Sequence, residues 1–323
     1  MNFMQGAFGP SHRKPGKEGI TQVADKFQGL DKEEFDELSA YVDYVKIRWG
    51  LPLIVERDFL KRRIKYYHDR SVRVSTGGTL CELMLRTGKF AAFVKAAAGA
   101  GFDIVELSDA TYPVSPASFE KLAETVSDAG MDFVAKAGRK DPSRQLSPEQ
   151  LFKAVDRGLG AGSPWVVIEA GEGFGAGIYR ADGSPNWELV DSLASRFGRN
   201  KLLFEAPQEY QQASLIIHFG PEVSLGAVEL SQVASLESMR LGVRAGETLG
   251  MRPGPRKVSG PPAVKFIHHL VSTEGVADQT RLCQISGMPR RTVQHALDAL
   301  DRAGLITVGP SLDDTRRKVY RAI

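Results

Sequence analysis

Acidic and basic side chains recur at one end of a series of short apolar runs in this chain. The first run ends in Asp25 and Lys26, and the second carries Lys46 and ends at Trp49 and Gly50. The third leads into Gly77, Gly78 and Thr79, with Glu82 one turn on. The fourth supplies Glu106, Ser108 and Asp109, and the fifth Lys136, Arg139 and Lys140. Glu169 and Glu172 follow the sixth, Glu205 ends the seventh, and Ser224 lies in the eighth. In the segment VELSD, Glu106 and Ser108 share one face of an extended strand, while Val105 and Leu107 take the other. A charge in a strand covered on both faces is costly unless it is paired. Two arrangements offset that cost: ion pairs that close the end of the sheet, or a bound metal. Carboxylates with Lys and Arg beside them suit an anionic substrate held by a divalent cation, and all-oxygen donors favour Mg²⁺. The six histidines argue against a zinc or Ser–His centre. Only His218 falls on a barrel helix beyond the second, and its position reads as a helix surface.

The runs are strands over 20–27, 44–49, 71–78, 103–109, 131–138, 165–171, 202–207 and 223–228. Between them the apolar spacing predicts helices over 33–42, 57–70, 81–99, 116–129, 148–159, 187–197, 208–217 and 231–242. Ser115 before Pro116 and Ser147 before Pro148 are cap signals with proline at the first helical position. Eight strands, each followed by a helix, are the count of an α/β (β/α)8 TIM barrel, whose reactive groups project from the C-terminal strand ends. A doubly wound open sheet is the structural alternative.

Composition then changes. Residues 1–19 form an arm rich in Gly, Pro and basic residues, with no continuous apolar stretch of a secretory signal. Residues 20–245 are the barrel, 246–262 a Gly/Pro-rich linker, and 263–323 a small domain of three short helices and two strands. That small domain is expected to be a winged helix-turn-helix, with GMPRRTVQHALDALDRAGLI as its turn and recognition helix. Residues 251–323 hold 12 Lys and Arg against 6 Asp and Glu, whereas the whole chain carries only +3. A near-neutral body with a basic tail points to two separate tasks. Cys81 and Cys283 are the two cysteines, far apart and in different expected domains, which fits a reducing cytoplasm. No apolar run has the length of a membrane span, so no membrane association is expected.

Taken together, the segments GITQVADK, YVKIRWG, STGGTLCE, GFDIVELSDAT, AGRKD, VVIEAGEGFGAGIY and LLFEAPQEYQQASLIIHFGPEVSLGAV resemble the phosphosulfolactate synthase family across about 20–244. The resemblance implies a lyase that adds sulfite, or a related nucleophile, to phosphoenolpyruvate or a similar enol phosphate in the presence of Mg²⁺. It implies addition at C3, negative charge on the carboxylate as an aci-anion, and protonation at C2. By motif, Lys140 is the acid, with Lys46 and Glu106 beside it in the catalytic set. Glu169, Glu205 and Asp25 would hold the metal, with Glu106 as a further direct or water-mediated ligand. Lys26, Arg48, Lys136, Arg139 and Ser108 would bind the small phosphorylated anion. The chain departs from the family pattern at several of these points. Arg48 stands in a segment expected to read FGWG, Lys136 where Glu is expected, and Gly171 where Arg is expected. Ser224 and Ala227 stand where Asn is expected, and Ala110 follows Ser108-Asp109 in place of Gly. Positive charge has thus been relocated within the site, and Lys does not replace a bidentate Arg.

In the tail, Arg290, Arg291, Thr292 and Gln294 stand near the start of the recognition helix, with His295 beside them, and Arg316 and Arg317 stand on the wing. These residues suit phosphate and base-edge contacts to DNA. Asp298, Asp301, Asp313 and Asp314 oppose that use, and a winged helix for protein contacts or dimerisation is the competing assignment. Ala296, Leu297, Leu300 and Leu305 are expected in its core. A homo-oligomer is expected. The rival to an enzyme is a metabolite-sensing, DNA-binding transcriptional regulator with a non-catalytic barrel.

Overall fold

The computed structural model describes residues 19–323, except 29, 112, 245, 247, 249–260, 303–304, 311–316 and 323. The expected arm and most of the linker, like Arg316, lie outside the described residues. The chain divides into two compact units, one within 1–253 and one within 254–323.

In the first unit, eight parallel strands close into a barrel in sequence order. They are β1 (Thr21–Asp25), β2 (Tyr44–Ile47), β3 (Arg73–Thr76), β4 (Ile104–Ser108), β5 (Asp132–Ala137), β6 (Val166–Ile168), β7 (Leu202–Glu205) and β8 (Leu225–Glu229). Closure excludes the open-sheet alternative. Nine helices among the described residues accompany them: α1 (Lys32–Leu38), α2 (Arg57–His68), α3 (Gly78–Arg86), α4 (Phe90–Ala100), α5 (Pro116–Asp128), α6 (Pro148–Gly160), α7 (Trp187–Phe197), α8 (Glu209–Phe219) and α9 (Val233–Arg240). The single helix expected over 81–99 is two, α3 and α4, because Gly88 adopts a left-handed φ of 67° and ends the first. The caps behave as expected. Ser115 accepts from the Ser118 N–H, and Ser147 forms a reciprocal capping box with Gln150.

Side-chain alternation sorts each strand. Val23, Val45, Ile47, Val74, Val105, Leu107, Ala135, Ile168 and Phe204 join the large core between strands and helices. The opposite faces of the strands enclose a separate apolar layer of Ile20, Tyr44, Ile104, Val134, Val167 and Leu203. Two residues further along five of the strands, on the same inner faces, come Lys46, Glu106, Lys136, Glu169 and Glu205, all buried. Closure between β1 and β8 is irregular: Thr21 pairs with Leu225 and Val23 with Val228, so Gly226 and Ala227 together oppose Gln22. This is a β-bulge. Its backbone is held by the Gln22 Oε1, which accepts from the Ala227 N–H at 3.0 Å. Ala227 sits at φ 56°, a left-handed conformation disfavoured for a side chain with a Cβ.

The second unit contains α10 (Pro262–Glu274), β9 (Ala277–Asp278), α11 (Gln279–Ser286), α12 (Arg290–Arg302), β10 (Ile306–Pro310) and β11 (Lys318–Ala322). The strands form an antiparallel sheet in the order β10-β11-β9. Its core comprises Val264, Ile267, Val271, Leu282, Val293, Ala296, Leu297, Leu300, Leu305, Ile306 and Tyr320, all apolar but for the tyrosine hydroxyl. The two-residue strand β9 had no signal in the sequence. Among the described residues, no helix is long and apolar enough to cross a membrane. Cys81 is buried, Cys283 is half-buried, and both are free thiols.

Candidate active site

At the C-terminal end of the barrel interior, two lysines and three glutamates from five strand ends meet. Lys46 on β2 donates to Glu106 Oε2 at 2.9 Å and to Glu205 Oε1 at 2.6 Å. Lys136 on β5 lies 2.8 Å from Glu169 Oε2, 3.0 Å from Glu205 Oε1 and 3.8 Å from Glu106 Oε1. Backbone donors complete the arrangement. The Gly78 N–H at the start of α3 donates to Glu106 Oε1 at 3.0 Å. The Ala170 and Gly171 N–H groups donate to Glu169 Oε1 at 3.1 and 2.8 Å. Two glycines permit this close packing. A Cβ on Gly78 would fall 2.8 Å from Glu106 Oε1, and one on Gly138 would fall 2.7 Å from Glu169 Cβ. Gly138 also has φ 119°, which a side chain rarely adopts.

Burial raises the carboxyl pKa of Glu106 and of Glu205, but the Lys46 and Lys136 ammoniums outweigh it and hold both below the ordinary carboxylate value. Burial would also strip Lys136 of its proton, yet Glu169, Glu205 and Glu106 outweigh it and push its pKa up. Three carboxylates against two ammoniums leave one negative charge over. Glu169 differs from the other two: burial drives its pKa up, and Lys136 only partly opposes this.

Lys140 stands beside the cluster and differs from it. Its ammonium donates to Thr79 Oγ1 at 2.6 Å. Burial, and then repulsion from Lys136, push its pKa down. A lysine whose proton is loosened in this way is suited to proton transfer.

The remaining expected residues take varied places. Arg48 reaches Glu172 at 3.5 Å, and its Nη1 is buried without a hydrogen-bond partner among the described residues. Lys26 pairs with Glu229 and lies 5.0 Å from the centre of the exposed Trp49 ring, which Arg48 also approaches at 5.5 Å. Ser108 is buried and donates to Glu82, which Thr111 also engages. Arg139 is half-buried on the loop after β5.

Asp25 does not belong to the site. Ile20 lies in the inner layer and Val23 packs among the helices, so strand alternation puts Asp25 on the helix side as well. There it accepts from Arg63 at 2.8 and 2.9 Å and from the Tyr67 hydroxyl at 2.7 Å. It anchors α2 to β1. The Mg²⁺ assigned to Glu169, Glu205 and Asp25 does not fit this arrangement either. The point that faces all three cluster glutamates is filled by Lys136 Nζ. Among the described residues, no group of three or more His, Cys, Asp and Glu side chains is arranged to hold a metal ion. Thr79, in the GGT run after the third strand, is the partner of Lys140, a role its sequence position does not reveal, and Arg63 and Tyr67 carry no motif.

In the second unit, Arg290 and Arg291 are exposed and Thr292 and Gln294 are half-buried on α12. Arg290 Nε donates to Gln279 at 3.2 Å, and Gln294 donates to Asp298 at 2.7 Å. Arg317 is exposed, with Nη1 4.0 Å from Asp278.

Residues 9–246 match the family described as (2R)-phospho-3-sulfolactate synthase (ComA). A phosphosulfolactate synthase from Methanocaldococcus jannaschii is 35% identical over 239 residues, 72% of this chain and 94% of that protein. One from Methanothermobacter thermautotrophicus is 34% identical over 246 residues, 75% of this chain and 95% of that protein. One from Bacillus subtilis is 30% identical over 240 residues, 72% and 93% of the two chains. With a barrel matched along nearly its whole length, the chain belongs to the phosphosulfolactate synthase family.

Proposed function

We propose that the barrel is a lyase-type synthase that adds sulfite, or a closely related nucleophile, to C3 of phosphoenolpyruvate or a similar enol phosphate. The observation that carries this reading is the pair of lysines around one strand end. Lys136 is locked among carboxylates and keeps its proton, while Lys140 is pushed toward releasing one. In the proposed step the sulfur lone pair forms the C3–S bond. The π pair of the enol moves to C2 and into the carboxylate, giving an aci-anion. Lys140 delivers its proton to C2, and Thr79 orients it for that transfer. Arg48, with a buried Nη1 in want of an acceptor, and Lys26 and Arg139 are assigned to the phosphate and carboxylate of the substrate. Lys46 and Glu106 hold the ionised cluster in place beneath them.

The test is incubation of the full chain with phosphoenolpyruvate and sulfite, followed by phosphorus NMR. A new phosphate-ester resonance is expected in place of the enol phosphate. An unchanged spectrum with sulfite and with other small sulfur nucleophiles overturns the reading.

A second reading concerns the tail. We assign it as a winged helix that contacts DNA, favoured by the adjacent exposed Arg290 and Arg291 at the start of α12 and by the basic balance of this region. Salt-dependent binding of duplex DNA that Arg290→Ala and Arg291→Ala abolish would support it. Unchanged binding in the double variant would sink the helix assignment. The absence of a spanning helix among the described residues and two free thiols favour a cytoplasmic location.

A further inference from the structure

We infer that in this chain the Lys136 ammonium occupies the cation position of the carboxylate cluster, so that Lys46 and Lys136 supply the positive charge of the site and no divalent metal is required there. The geometry is that of a coordinated cation. Lys136 Nζ has carboxylate oxygens of Glu169, Glu205 and Glu106 at 2.8, 3.0 and 3.8 Å. Lys46 Nζ shares Glu205 Oε1 with it and adds Glu106 at 2.9 Å. Two ammoniums carry the charge of one Mg²⁺, and they are joined through a single carboxylate oxygen. Both lysines are buried, at 2% and 6% exposure, so their field is weakly screened by water. Lys46 donates to two glutamates and, as an ammonium, retains a third N–H for an anion.

A metal entering this cluster would displace Lys136 and leave a buried ammonium beside a dication, an arrangement strongly disfavoured. Four other acids near the strand ends are already engaged. Glu82 is engaged by Ser108 and Thr111, Asp109 by Arg157 at 2.9 Å, Asp25 by Arg63, and Glu229 by Lys26. The role of this charge follows from the reaction proposed above and rests on that reading: it faces the aci-carboxylate formed when sulfite adds to the enol phosphate. The occupancy of the cation position does not rest on it.

The experiment is a titration of the full chain with Mn²⁺, read by electron paramagnetic resonance, on wild type, Lys136→Glu and Lys136→Gln. Circular dichroism melts select the variants that fold. Wild type is expected to leave Mn²⁺ free, and each folded variant is expected to bind one ion per chain. Stoichiometric binding by wild type overturns the inference, and so does failure of both folded variants to gain an ion. If neither variant folds, the wild-type titration decides alone. Product formation provides a second readout, expected to change by less than about twofold between chelator and added Mg²⁺. A loss of about tenfold or more in chelator overturns the inference. If phosphoenolpyruvate and sulfite yield no product at all, the proposed reaction fails while the Mn²⁺ titration still decides the cation position.

Discussion

Along the same eight strands, the barrel interior changes character within one layer of side chains. Toward the N-terminal strand ends it is Ile20, Tyr44, Ile104, Val134, Val167 and Leu203, an apolar plug. Two residues further along five of these strands, it is Lys46, Glu106, Lys136, Glu169 and Glu205. The first layer is held by area and shape, and many apolar residues would serve there. The second is held by charge balance, in which every member depends on the others and a single loss exposes an unpaired ion. That difference separates a layer whose contribution to stability is indifferent to pH from one whose contribution depends on ionisation.

The largest expected effect lies beside the ionised layer. Lys140→Ala should lower turnover by about a thousandfold with little effect on the melting temperature. In wild type, turnover should fall as pH rises through the lowered pKa of Lys140, below its ordinary 10.5, because the acid must carry its proton. A Lys140→Ala enzyme within a few fold of wild type would remove Lys140 from the acid role.

Within the two layers, Lys136→Met should destabilise the barrel by about 3–5 kcal/mol at neutral pH, since it leaves buried carboxylates without their partner. Leu203→Ala should cost about 3 kcal/mol by opening a cavity. The pH dependence then tells the layers apart. Glu106 and Glu205 have depressed pKa values, so their contribution is present above the unfolded carboxylate value and is lost as pH falls through the folded one. The penalty of Lys136→Met should therefore shrink in acid, while that of Leu203→Ala should not. Parallel curves in denaturant melts at several pH values would erase the distinction.

Glu237 on α9 sharpens the comparison, being a buried acid outside the cluster. Its pKa is raised to about 7 by burial, with Arg240 only partly opposing this. A carboxyl raised in the folded state binds a proton that the unfolded chain has released, so stability declines as pH rises from about 4.5 to about 7. Glu237→Gln should remove that decline and gain about 2 kcal/mol at pH 8, near pH-independent in thermal melts. The smallest effect is expected at the bulge. Ala227→Gly relieves a left-handed residue and should stabilise by about 0.5 kcal/mol after the entropy cost of glycine.

The eight strands were legible because each is a short apolar run with a cap or turn signal beyond it, and Ser115-Pro116 and Ser147-Pro148 placed two helix starts within a residue. Glu106 and Ser108 were legible as one face because the strand between them alternates cleanly. Asp25 stands at a strand end like the others, but it shares the phase of Val23 in β1 and so faces the helices and not the barrel interior. The partnership of Lys46 with Glu205 spans 159 residues, and no local pattern announces it. Carboxylates at strand ends are visible in a sequence, but the lysine that lies between them is visible only once the barrel closes.

That closure also sets an order in time. The Ile20 N–H meets Ser224 Oγ, and the Ala227 N–H meets Gln22, across 204 and 205 residues of chain. A ribosome must deliver nearly the whole barrel before its first strand finds its last neighbour. Until then the nascent sheet has two unpaired edges, the state most exposed to wrong pairing with other chains. Cessation of synthesis at any codon before the bulge would release an open sheet, so the barrel's edges are covered only once the strand ending at Glu229 has left the ribosome.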